Sequence, residues 1–89
     1  MFINGLYFNQ TSCGCPEQYD VFDEDNNQVG YVRLRHGLIT CECPDIGGTE
    51  IHNEDLSGFS IDGVLHYDLR PTILSVIANK IKQYYRIYD

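Results

Sequence analysis

Four cysteines, Cys13, Cys15, Cys41 and Cys43, are the residues of this sequence best suited to metal or redox chemistry. They form two C-x-C pairs separated by twenty-five residues. If Cys41 and Cys43 lie on a strand, their side chains point to the same side, roughly 6.5–7 Å apart along the chain. Joined with two thiolates from a loop carrying Cys13 and Cys15, they would make a tetrahedral zinc site. C-x-C is a weaker zinc signal than C-x-x-C, and no histidine has ligand spacing to a cysteine. The reading preferred here makes Cys41 and Cys43 small core residues and Cys13 and Cys15 ordinary loop thiols, with no cofactor. A zinc-stabilised Cys13–Cys15–Cys41–Cys43 module is the alternative.

The second constellation is Arg33-Leu34-Arg35-His36-Gly37, the densest positive cluster in the chain. Guanidinium groups beside an aromatic ring suit a phosphate or carboxylate attached to a flat ring. Arg35, Arg33, His36 and Tyr31 are therefore the candidate ligand-binding residues. Arg33 has a competing use, because a hairpin register drawn from the turns sets Asp20 across from it and Glu42 diagonally. Surface pairing would then occupy it, leaving Arg35 the freer of the two.

Nothing in the sequence assembles a nucleophile, a base and a stabiliser, so no enzyme is expected. There is no G-x-S-x-G, and His36, His52 and His66 are scattered. Asp23-Glu24-Asp25 has the look of a hairpin tip without calcium-loop spacing. Gly47-Gly48 lacks the context of a phosphate loop.

The elements that must position these residues follow from pattern. Phe2 to Phe8 reads as a short strand, and Asn9 to Pro16 as a loop. Gln18 to Glu24 and Gln28 to His36 read as strands joined by a tight turn at Asn26-Asn27. That turn sets Tyr19 against Leu34, Val21 against Val32 and Asp20 against Arg33. A second turn at His36-Gly37 sets Arg35 against Leu38, Leu34 against Ile39, Arg33 against Thr40, Val32 against Cys41 and Tyr31 against Glu42. Both registers put Tyr19, Val21, Val32, Leu34, Ile39, Cys41 and Cys43 on one face. Asp20, Phe22, Tyr31, Arg33, Arg35, Leu38, Thr40 and Glu42 fall on the other, whereas a one-residue slip would mix the two sets.

Thr49 to Asn53 adds a further strand, and Glu54 to Tyr67 reads as a long loop with one short extended piece. Leu69 to Tyr88 is a helix with Asp68 as cap and Pro71 in its first turn. Its apolar side collects Ile73, Leu74, Val76, Ile77, Ile81, Tyr84, Tyr85 and Tyr88, and Ala78 falls on the polar side. The expected fold is α+β: one domain over residues 1–89, an antiparallel β-meander of three to five strands with one C-terminal helix packed on one face.

Composition narrows the partners. The chain has 89 residues and a net charge of -7, from thirteen acids against six Lys and Arg. Such a surface repels phosphate backbones, which argues against a nucleic-acid binder. No apolar run reaches membrane-spanning length, and no charged, apolar leader opens the sequence. The expected location is the cytoplasm, where thiols stay reduced.

Three segments carry a resemblance: GCPEQYDV from Gly14 to Val21, VGYVRLRHG from Val29 to Gly37, and PDIGG from Pro44 to Gly48. They are similar to the pattern GCPEQYDVF, VGYxRLRHG and PDCGG of a family of short uncharacterised proteins encoded in Gram-positive bacterial genomes, prophages and phages. The resemblance covers about the first half of the chain and implies a cytoplasmic accessory protein of a mobile element. It implies no activity. The chain departs from the pattern at Ile46, where the family carries a cysteine.

These readings converge on a small acidic, non-enzymatic protein that binds or sequesters an anionic, nucleotide-like small molecule through an Arg and aromatic sheet face. The helix covers one face only, and Phe22, Tyr31 and Leu38 on the other predict a homodimer. The main alternative is an acidic interaction module that inhibits a host protein.

Overall fold

The computed structural model describes residues 1–12, 17–35, 37–56, 60–61, 64–65 and 69–86. Six strands follow one another in chain order across one antiparallel sheet: β1 (Phe2–Ile3), β2 (Leu6–Ser12), β3 (Glu17–Phe22), β4 (Gln28–Arg35), β5 (Leu38–Cys43) and β6 (Thr49–Asp55). A separate hairpin of β7 (Ser60–Ile61) and β8 (Val64–Leu65) precedes helix α1 (Arg70–Tyr85). The α+β meander with one helix matches the expectation, but the sheet has more strands than three to five. No helix among the described residues is long and apolar enough to cross a membrane.

The extra strands come from turn chemistry. Phe2 to Phe8 is not one strand. It is broken at Asn4-Gly5, both at positive φ (51° and 85°), which pairs Ile3 with Leu6 and Phe2 with Tyr7. Asn-Gly is the sequence best suited to this two-residue hairpin turn. A Cβ at Gly5 would meet nothing within 4 Å, so only the backbone conformation opposes a side chain there. Gly5→Ala is therefore expected to lower the unfolding free energy by about 1 kcal/mol in a urea titration. The supposed loop after Phe8 stays extended to Ser12 and pairs with β3. Likewise, Glu54 and Asp55 continue β6, and the long loop expected to hold one short extended piece carries two short strands, β7 and β8.

The β4–β5 register is the expected one throughout, from Arg35 opposite Leu38 to Tyr31 opposite Glu42. The β3–β4 register differs by two residues: Tyr19 faces Val32 rather than Leu34, and Asp20 faces Tyr31 rather than Arg33. The cause is the loop. Instead of a tight Asn26-Asn27 turn, the Asp23 carboxylate accepts hydrogen bonds from the backbone N–H groups of Asp25 and Asn27, both at 2.9 Å. The Asp23 N–H closes the loop by donating to the Asn27 carbonyl at 3.0 Å. A bulge between Val21 and Phe22 absorbs the change. Because the slip is even, every side chain keeps its face.

Beneath the helix the core gathers Leu6, Phe8, Tyr19, Val21, Val32, Leu34, Ile39, Cys41 and Cys43 against Leu74, Ile77, Ala78 and Ile81. The helix stripe is thus narrower than the one read from sequence and rotated from it. Ala78 is fully buried, whereas Val76 (43% exposed), Tyr84 and Tyr85 reach the surface. The helix approaches the sheet closely over small residues. A Cβ at Gly30 would lie 2.8 Å from Ile81 Cδ1. Asn4 ties the first hairpin to the same helix, donating to Ser75 Oγ at 2.7 Å and Asn79 Oδ1 at 3.2 Å.

At its start Pro71 occupies the first turn as expected, but the N-cap is Leu69, with no side-chain cap bond. Asp68, the expected cap, lies outside the described residues, as does Tyr88. The helix ends earlier than expected, at Arg86, whose left-handed backbone directs its N–H to the carbonyls of Gln83 and Lys82. The N-terminal turn is fixed instead by an ion pair. Arg70 donates from Nε to Glu17 Oε2 at 2.8 Å and from its terminal nitrogen to Oε1 at 3.0 Å. The Tyr19 hydroxyl donates to the same carboxylate, which is only 1% exposed.

Candidate functional site

The sheet face away from the helix is organised in cross-strand rows. Phe2, Tyr7 and Phe22 stand in register on β1, β2 and β3. One step along the strands, Asp20, Tyr31 and Glu42 form a second row. The third row is Gln18, Arg33, Thr40 and Asn53, and beyond it Arg35, Leu38 and Asp55 form a fourth. The aromatic row and the Asp20 row therefore lie at one end of the strands and the two arginines at the other, where Asp55 joins them, with rows roughly 6.5–7 Å apart.

Arg33, Arg35, Leu38 and Thr40 line an open depression of about 450 Å³. The pairing expected for Arg33 does not form. The two-residue slip places Gln18 across from it, and Asp20 instead accepts from Gln28 Nε2 at 3.3 Å. Glu42 Oε2 is taken by the Gly47 N–H at 2.9 Å. Among the described residues, neither Arg33 nor Arg35 has a carboxylate partner. Each guanidinium carries five donors in a rigid fork suited to oxyanions. Of the other candidate residues, Tyr31 is 7% exposed and does not line the depression. His36 lies outside the described residues.

Burial, and then the charge of Asp45, holds the Asp20 carboxyl above its ordinary value, while the bond from Gln28 opposes this. An acid raised in the folded state destabilises the fold when ionised. The penalty is full at neutral pH and is relieved as pH falls through the raised value. Asp20→Asn is expected to raise the melting temperature at neutral pH and to remove that relief on acidification, read by thermal unfolding across the acidic range.

Cys41 and Cys43 sit on the helix side of β5, both buried, as free thiols. The neighbouring Cys43 thiol, together with burial, pushes the Cys41 thiol up, and the Cys41 thiol draws Cys43 down, assisted by the Tyr85 hydroxyl. Burial pushes Tyr85 up to about 12. His52, opposite Cys41 on β6, is also buried; its Nε2 lies 3.2 Å from Glu54 Oε1, and its Nδ1 has no partner. Among the described residues no group of three or more His, Cys, Asp or Glu could hold a metal ion. Cys13 and Cys15 lie outside the described residues. The described half of the zinc set is part of the core.

Two features escaped the sequence reading. Glu17 and Arg70 are fifty-three residues apart, and no local pattern links them. The aromatic row depends on Phe2, which joins it only through the Asn4-Gly5 turn, and that dipeptide was the available signal. Comparison of the chain with known protein families, with characterised proteins and with solved structures returned no match.

Proposed function

We propose that this chain is a non-enzymatic accessory protein of phage or prophage type. It binds or sequesters an anionic, nucleotide-like small molecule at the Arg33–Arg35 depression and works in the cytoplasm as a homo-oligomer. The observation that carries the reading is the pair of arginines side by side on β4, without carboxylate partners among the described residues, in a molecule of net charge -7. Two guanidiniums without an ion pair among the described residues favour an oxyanion. The Thr40 hydroxyl beside Arg33 adds a donor, and Leu38 beside Arg35 offers an apolar surface to a base or ring. The resemblance of the first half to phage-encoded proteins supports the cellular context.

Titration calorimetry with adenosine and guanosine triphosphates tests the reading. Arg35→Glu is expected to abolish binding, because it replaces a donor fork by a repelling carboxylate. Unchanged affinity in that variant overturns the assignment. Light scattering tests the assembly, and a single 10.2 kDa species removes the oligomer from the proposal.

A further inference from the structure

The opposite end of the same open face has a different chemistry. Phe2 is 77% exposed and Tyr7 37%, and their rings meet edge to face with centroids 5.0 Å apart. Phe22 continues the row on β3. Strands lie about 4.8 Å apart, so the row offers an aromatic ledge roughly 10 Å wide. The next row along the strands brings Asp20, with Asp45 from the β5–β6 turn acting on it electrostatically. The Asp45 charge opposes ionisation of Asp20, and a cation placed beside them offsets that repulsion.

We propose that Phe2, Tyr7 and Phe22, together with Asp20 and Asp45, form a docking surface for an extended peptide presenting an arginine two residues from a large apolar side chain. The spacing follows from the geometry. Alternate side chains of an extended peptide repeat at the same interval of roughly 6.5–7 Å that separates the aromatic and acidic rows. A peptide running along the strands therefore sets its apolar residue on the ledge and its cation on the carboxylates. Arginine fits better than lysine, because its planar fork binds a carboxylate through two bonds and its faces stack on aromatic rings. Charge complementarity points the same way: a chain with thirteen acids and six basic residues attracts a basic partner. This surface is separate from the arginine depression, so the two proposals stand or fall independently.

The test uses a fluorescein-labelled peptide of three Leu-Ser-Arg-Ser repeats, with one control carrying Glu for Arg and another carrying Ser for Leu. Anisotropy is expected to rise with the first peptide only, and the rise is expected to weaken with salt. Phe2→Ser with Tyr7→Ser, and separately Asp20→Asn with Asp45→Asn, are each expected to weaken binding by about tenfold. Arg33→Ser with Arg35→Ser is expected to leave it intact. Melting curves of each variant confirm that it folds. Equal binding of the Ser-for-Leu peptide overturns the proposal in favour of general charge attraction. Absence of binding by all three peptides, or insensitivity to either double substitution, also overturns it. Sedimentation showing that Phe2→Ser with Tyr7→Ser converts a dimer to a monomer assigns the face to a second copy of the chain instead.

Discussion

Replacing Arg70 by alanine is expected to lower the free energy of unfolding by about 3 kcal/mol, at the lower end of what breaking a buried ion pair costs. The Glu17 carboxylate is 1% exposed and takes two hydrogen bonds from the Arg70 guanidinium, one on each oxygen. Without the guanidinium its charge keeps the bond from the Tyr19 hydroxyl but loses the two charge-assisted bonds that offset its burial. In a domain of this size such a loss corresponds to a fall in melting temperature of roughly 15 °C. Removing both charges, by Glu17→Gln with Arg70→Met, is expected to recover much of it, because the cost lies in the abandoned charge rather than in the missing attraction. Urea unfolding of the single and double variants measures both. A loss in Arg70→Ala below about 1 kcal/mol would mean that the pair behaves as a solvated one. The consequence is local as well as global: this pair fixes the first turn of α1 onto the start of β3 where Leu69, the N-cap, supplies no side-chain bond.

Ile81→Ala is expected to cost about 3 kcal/mol, within the range for deleting a fully buried isoleucine. Gly30→Val is expected to cost about 2 kcal/mol for the opposite reason, overpacking the same spot. Ile81 Cδ1 occupies the space a side chain at residue 30 would need, and Val21 flanks it at 3.6 Å. The informative result is the double variant. Valine at residue 30 fills part of the cavity left by Ile81→Ala, so the combined loss is expected to fall below the sum of the single losses. Additive losses would show that the two residues do not compete for one volume. Denaturant titration of the three variants measures the coupling, and an unchanged slope confirms that the unfolded state is not the source.

Legibility followed the range of the interaction. The β4–β5 hairpin was readable because its short turn and the alternation of Val32, Leu34, Ile39 and Cys41 agree on one register. The β3–β4 partners were misread by two residues, since the loop length depends on hydrogen bonds from Asp25 and Asn27 to the Asp23 side chain, which residue types alone do not count out. The same misreading paired Asp20 with Arg33, and so made Arg33 look occupied. The first hairpin was legible in Asn4-Gly5, but an apolar run from Phe2 to Phe8 outweighed the turn signal.

What the sequence determined by itself is therefore the face of the alternating residues of β3, β4 and β5 and the existence of a C-terminal helix with an apolar side. Both arise from periodicity, a local property that survives an even slip in pairing. Tertiary structure alone decided which part of that helix is buried. Ala78 goes inside and Val76 stays out, and Gly30 leaves room for Ile81 of the same helix against the sheet. It alone joined Glu17 to Arg70, because a contact between the start of a strand and the start of a distant helix has no periodic signature. It also set the aromatic row and the two arginines at opposite ends of the open face, since each row is drawn from several strands and exists only once their registers are set.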